Sequence, residues 1–462
     1  MQTEHDRARQ HRSEGRLPEA IDAYRSILAH TPDDRVTWHN LAAALGDAGR
    51  FTEAERAARK ALALGLGAAE TWLVLGRALE QAGELDEAQA AFEAALNRKP
   101  GDAAIHRSYA QLVWMRTGDA SAALERFRDA LRRSRGEVGL QLALARVTGQ
   151  MGDVEEGLRL VEQAVRLLPD SHIVQTAAAY AACSAAKPHD ALSYARRALE
   201  ISPHDKAAGL AEVQALLALG ESRAAPERIA ALRARFPRDQ YLLAMETTAW
   251  RLLGDPRYRQ ACDYTRLVRA YEVAAPPGWR SPHHYLDDLA DALRNRHPFT
   301  AHPFDQSVKG AGSQVTGVQH VIDSAPLAAW PQATLPALRD YVRRFERTAM
   351  LANESESQLI ARLQTWSVRL RRGGRHSDHV HPNGLISSAC HIAIADSLAH
   401  GPAGWLRFGK PGVATTPELD AEYFHRPEAG VLVLFPSYVW HGVTPVEDDG
   451  ERLSVAMDVS QT

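Results

Sequence analysis

Cysteine is scarce in this chain. Cys183, Cys262 and Cys390 are the only three in 462 residues, too few and too far apart for a disulfide framework or a thiolate zinc site, and they fit a reducing compartment. Long apolar runs are lacking as well: no stretch of 18 apolar residues occurs, and the opening MQTEHDRARQ has no apolar core of a signal peptide. A cytoplasmic protein with no membrane partner is the expectation. Nor is there an excess of positive charge. The 54 Lys and Arg are balanced by 57 Asp and Glu, the formal charge is −3, and no basic stripe stands out, so nucleic acid is not expected as a partner. What is present is ordinary for a soluble globular protein: 45% hydrophobic and 24% charged residues, in a chain long enough for two or three domains.

The first half repeats itself. Gly15, Gly49 and Gly83 are 34 residues apart, Gly118 follows after 35 and Gly152 after 34, Ala186 keeps the phase, and Gly220 and Gly254 complete it. Ala20, Ala54, Ala88 and Ala122 recur at the same interval, as do Trp38 and Trp72, and Pro169, Pro203 and Pro237 mark the ends of later units. The pattern predicts a helix, a turn at the glycine and a second helix whose small residue permits close packing, closed by a proline that cannot continue it. Segments such as AETWLVLGRALEQAGELDEAQAAFEAALNRKPGD resemble the tetratricopeptide repeat. The resemblance implies about seven units over residues 3–256, stacked into a solenoid whose concave face takes a peptide or protein segment. The competing expectation is that the array spaces neighbouring domains or pairs two copies of the chain into a homodimer.

Near Arg257 the texture changes, and VAAPPGWRSPHH breaks the helical pattern with prolines and a glycine. Two amphipathic helices are readable beyond it, HHYLDDLADALRNRH and LPALRDYVRRFERTAML. The β-type segments TWSVRLRR, LISSACHIAIA, GWLRFG, GVLVLFP and RLSVAMDVS follow. The expected architecture is an α+β multidomain chain: an all-α solenoid over 3–256, then a double-stranded β-helix, or jelly roll, with buttressing helices over 257–462.

Three features of this second part converge on a metal. His379 and His381 are two apart, in a loop expected after the strand Trp366 to Arg372, where both side chains can clasp one ion. His441 follows some 60 residues later, just beyond the strand Gly430 to Phe435. Arg452 and Ser454 open the last strand on one face, a guanidinium clamp and a hydroxyl for a buried carboxylate. A metal with an open face beside a carboxylate anchor is what an oxygenase using Fe(II), 2-oxoglutarate and O2 requires.

The stretches HPFDQSVKGAGSQ, WSVRLRRGGRHSDHVHPNGLISSA, GWLRFGKP, GVLVLFPSYVWHGVTP and RLSVAMDV resemble the 2-oxoglutarate-Fe(II) oxygenase domain found fused to tetratricopeptide repeats, with a more distant similarity to the aspartyl/asparaginyl β-hydroxylases. The resemblance implies a dioxygenase that hydroxylates a side chain of a peptide or protein.

Two ligand pairs compete for the metal. Residue type favours His376 with Asp378, in the His-x-Asp form of the usual facial triad; the resemblance favours His379 with His381, completed by His441. Three neutral imidazoles leave Fe(II) at +2, which a dianionic 2-oxoglutarate would neutralise. Arg452 and Ser454 are assigned by the resemblance to 2-oxoglutarate. His376, Asp378 and His391 are expected to stand around the centre, His391 because it shares a strand face with Ser387, opposite Ile386, Cys390, Ile392 and Ile394. Gln306, Ser307 and Lys309 belong to a loop expected near the site. Two other readings remain: a three-histidine cupin that needs no 2-oxoglutarate, and a repeat scaffold whose oxygenase domain is degenerate. The cupin lacks its glutamate, since Leu385 and Ile386 stand where it is expected after His381.

Overall fold

The computed structural model describes residues 3–134, 136–318, 324–345, 348, 351–395, 401–447 and 449–461. From Glu4 to Leu253 these form fifteen helices, stacked as seven antiparallel pairs and a last helix, Gln240–Leu253. Asp34, Asp102, Ser171 and Asp205 cap first helices of the pairs, and Asp239 the last helix, by accepting hydrogen bonds from their free N–H groups. The turn glycines adopt left-handed backbone, with φ from +67° at Gly254 to +112° at Gly152, and Ala186 is the described non-glycine residue that does the same, at +53°. The small packing position is buried in every pair: Ala20, Ala54, Ala88, Ala123, Gly157, Ala191 and Ala225. The fourth is Ala123, correcting Ala122, because the 35-residue step at Gly118 shifts the phase by one and leaves Ala122 exposed. At Gly157 a Cβ would stand 2.9 Å from the Ala145 carbonyl oxygen, so even alanine is too large there.

The second half builds two antiparallel sheets from eleven strands: β1 (Arg269–Glu272), β2 (Val308–Lys309), β3 (Gly312–Thr316), β4 (Leu363–Leu370), β5 (Arg375–His379), β6 (Gly384–Ile394), β7 (Leu406–Phe408), β8 (Tyr423–His425), β9 (Val431–Pro436), β10 (His441–Val443) and β11 (Arg452–Ser460). One sheet runs β1-β9-β6-β11-β4-β3 and the other β2-β5-β10-β7-β8. From β4 onward the chain alternates between the sheets except at the β7–β8 hairpin, which is the double-stranded β-helix expected from the sequence. The helices Pro282–Arg294 and Trp330–Arg344 buttress the larger sheet, with Trp330, Tyr285 and Tyr341 fully buried in the shared core. The second of these was expected over residues 335–351; it starts earlier, and 346, 347, 349 and 350 lie outside the described residues.

The sheets do not stand apart from the solenoid. Phe304 is inserted among Leu124, Phe127, Leu140 and Leu144 of the middle repeats. Trp114 donates from its ring nitrogen to the His302 carbonyl at 2.8 Å, and Arg107 pairs with Asp305. Farther along, the backbone N–H of Thr416 donates to the Leu217 carbonyl at 2.9 Å and Arg251 to that of Gly409 at 2.8 Å. Most of these solenoid residues lie on first helices of the pairs. The second half of the chain is thus packed against several of the repeats.

Candidate metal centre

His379 does not sit in a loop, as its sequence neighbourhood suggested, but ends β5. There β5 pairs with β10 out of step: His441 lies opposite His379 and Val443 opposite His376, so two steps on one strand face three on the other. This bulge sets which side chains of β5 share a face with His441. Residues directly opposite share a face, so His376 and His379 both point inward with His441 and Val443, and the His376 and His379 ring centres are 6.0 Å apart. Asp378 turns to the outer face, where Arg407 grips it with two hydrogen bonds, Nε to Oδ1 at 2.9 Å and Nη2 to Oδ2 at 2.6 Å. Its carboxylate lies over Gly442, where a Cβ would meet Oδ1 at 2.6 Å. The pair His376 and Asp378 is therefore not brought together as a chelate.

His379, His381 and His441 are. Their ligand atoms all lie within 4.8 Å of one another, and this is the one such group among the described residues. Each ring is held by its Nδ1: His379 donates to the Ser377 carbonyl at 2.8 Å, His441 to the Val439 carbonyl at 2.9 Å, and His381 faces Oδ2 of Asp458 at 2.6 Å. A carbonyl only accepts, so in His379 and His441 the proton sits on Nδ1 and the Nε2 lone pair is free for a metal. Burial pushes the His379 imidazole down to about 3 and that of His441 well below its ordinary value, with the neighbouring histidines adding to both. Both rings are neutral at physiological pH, the state in which imidazole ligates. Trp366 stacks on His381 at 5.4 Å and Phe435 packs against His441 at 4.6 Å, fixing the ring planes.

A second polar group lies deeper between the sheets. Arg452 is 1% exposed, its Nη1 reaches only Ser454 Oγ at 3.3 Å, its Nε has no partner, and no carboxylate pairs with it among the described residues. Burial lowers its pKa to about 10, which still leaves it charged at neutral pH. Ser454 stands opposite His391 on β6, so both face inward. His391 is fully buried with neither ring nitrogen partnered, and Nε2 of His376 is likewise buried and free. Burial depresses both imidazoles well below their ordinary values; the neighbouring His379 and then the Arg452 charge add to it at His376, and the Arg452 charge at His391. A buried, unpaired guanidinium beside unpartnered donors is costly unless an anion completes it. Ser307 Oγ lies 3.3 Å from His376 Nδ1, so the loop of Gln306, Ser307 and Lys309 does border the site.

Sequence reasoning missed three participants. Asp458 had a signal: Arg452, Ser454 and Asp458 stand an even number of residues apart along one strand, and an acid on that inward face needs a partner. His425, whose Nδ1 is buried and unpartnered and which adds to the low pKa of His391, lies on a strand of three residues with no readable pattern. Trp366 reads as a core residue.

The residues fit the groups they would have to hold: three converging imidazoles with their outer nitrogens engaged suit a divalent transition metal, and the unpaired Arg452 with Ser454 suits a carboxylate. Comparison with known proteins agrees. Residues 364–458 match the sequence model of a family described as "Putative 2OG-Fe(II) oxygenase", and residues 45–112 and 142–206 match two tetratricopeptide-repeat models. The chain thus carries tetratricopeptide repeats in its first half and an oxygenase-type segment in its second. No curated protein matches it. Among solved structures, a tetratricopeptide repeat protein from Parabacteroides merdae is 15% identical, covering 53% of this chain and 97% of its own, at a TM-score of 0.39. YrrB, described as a TPR protein with an unusual peptide-binding site, is 18% identical, covering 42% of this chain and 99% of its own, at 0.26. The MamA protein is 20% identical, covering 43% and 90%, at 0.24. At such TM-scores the overlaps carry no argument, and the repeat assignment rests on the sequence models and the helix pairs.

Proposed function

We propose that this chain is an Fe(II)- and 2-oxoglutarate-dependent dioxygenase that hydroxylates a side chain of a peptide or protein, with residues 3–256 as the repeat array and 257–462 as the oxygenase unit. In this reading His379, His381 and His441 hold the metal through Nε2, and Arg452 with Ser454 receives the distal carboxylate of 2-oxoglutarate. Held there, Fe(II) and 2-oxoglutarate would supply the activation of O2 that hydroxylates a C–H bond, one oxygen atom going to the new hydroxyl and the other to succinate, with the C1 carboxylate of the keto acid released as CO2. The chain's own contribution is to keep the imidazoles neutral and aimed, to offer a positive charge already stripped of water, and to leave His376 and His391 as free donors between the two.

The observation that carries the reading is Arg452: a buried guanidinium with no carboxylate partner among the described residues, on the inward face of the strand that also bears Ser454. A cupin acting without 2-oxoglutarate has no use for it. The test is an anaerobic titration with Fe(II) and then 2-oxoglutarate, followed by visible absorbance. A charge-transfer band that depends on both additions supports the proposal; iron binding with no band on adding the keto acid favours the cupin. If iron does not bind, the degenerate scaffold is the better account.

A further inference from the structure

Each metal-holding segment carries an apolar side chain that faces away from the metal and into the solenoid. Val380, between His379 and His381, and Trp440, next to His441, are 8% and 6% exposed. Both belong to one cluster with Leu210, Val213, Leu217, Leu242 and Met245 of the helices Lys206–Ala218 and Gln240–Leu253. Alternation along an extended chain explains the arrangement: with the histidines turned inward, the residue beside each must turn outward.

Polar contacts fix the same junction. The Trp440 indole N–H donates to Thr248 Oγ1 at 2.9 Å, with the Ala244 carbonyl at 3.3 Å. Thr248 in turn donates its hydroxyl proton to the Ala244 carbonyl at 2.8 Å, which leaves an oxygen lone pair for the indole. Tyr241 meets the Trp440 ring edge-on at 5.8 Å and accepts a hydrogen bond from Gln214 at 2.9 Å. Immediately after His381, the Pro382 carbonyl accepts from the backbone N–H of Gln240 at 3.2 Å. The sheet alone holds these segments weakly: β10 has three residues, and β5 is bulged where it pairs with β10.

We infer that the last helix pair and the final helix of the array are a structural part of the metal centre, with Trp440, Thr248 and Val380 as positioning residues that hold the three histidine ligands in place from behind. The inference rests on the proposal that these histidines bind a metal. It gives the end of the array a role in cis, distinct from capture of a substrate. Metal affinity is then set partly by side chains of the solenoid that touch neither metal nor substrate.

The test uses full-length protein and Co(II), a visible probe of coordination geometry, titrated anaerobically into wild type, Thr248→Val, Thr248→Ser and Trp440→Phe, alongside thermal unfolding of the metal-free proteins. The valine variant keeps the volume and loses the acceptor. It is expected to weaken Co(II) binding about tenfold and alter the visible bands, while the serine variant restores both. If Trp440→Phe fails to fold, the two Thr248 variants decide. Wild-type affinity and spectrum in Thr248→Val would overturn the inference with the metal reading intact. If wild type binds no Co(II), or His379→Ala binds it as tightly, the metal reading falls and takes this inference with it.

Discussion

His381 leans on a carboxylate: its Nδ1 lies 2.6 Å from Oδ2 of Asp458, a residue 77 positions further along the chain. Of the three imidazoles in the centre this is the one oriented by a side chain; the other two use backbone carbonyls. A carboxylate behind a ligating imidazole fixes the tautomer and raises the basicity of the other nitrogen. Asp458→Asn keeps the shape and loses the charge. It is expected to weaken Fe(II) or Co(II) binding about tenfold, measured by titration. Unchanged affinity would remove Asp458 from the centre.

Arg452 is predicted to trade stability for binding. Replacing it with Met removes a buried charge that no carboxylate offsets among the described residues. The metal-free protein should be as stable as wild type or more stable by roughly 1–4 kcal/mol, the range seen when buried charged groups give way to apolar ones. Metal binding should persist, and 2-oxoglutarate should no longer raise the melting temperature of the metal-loaded protein. A large loss of stability in this variant would mean that the guanidinium serves the fold.

Asp378 separates the two ligand sets directly. With its carboxylate committed to Arg407 on the outer face, Asp378→Asn should leave metal affinity within about twofold while weakening the fold by roughly 1–3 kcal/mol, the cost of leaving a half-buried arginine imperfectly paired. Denaturant unfolding and metal titration of the same preparation give both quantities. Loss of metal from this variant would restore the His-x-Asp reading.

His297 makes stability depend on pH. It is buried between Ser313 Oγ at 2.8 Å and Ser367 Oγ at 2.9 Å, and because Ser367 donates to the Ser454 carbonyl, the His297 ring donates to Ser367 and accepts from Ser313. Burial holds this imidazole at about 4, against about 6.5 in the unfolded chain. Between those values the unfolded state binds the extra proton, so stability is full above pH 6.5 and declines as the pH falls toward 4, by on the order of 3 kcal/mol from this group. Unfolding of wild type and His297→Asn across pH 4–7 isolates the contribution: the difference between them should shrink as the pH falls. A constant difference would assign the pH dependence to other groups.

The sequence by itself determined the 34-residue period, because a turn that requires left-handed backbone and a helix contact that requires a small side chain are local demands, met by one residue at a time. It also supplied the order of His379, His381, His441 and Arg452, since ligand chemistry is a property of residue type. It could not choose between Asp378 and His379. Along an ideal strand positions 376 and 378 share a face, and only the pairing of β5 with the three residues of β10, one step out of register, turns Asp378 outward and His379 inward. Tertiary structure also decided that Asp458 backs His381, and that Val380 and Trp440 seat the centre on the solenoid, because both relationships join residues far apart in the chain through burial that no local pattern encodes.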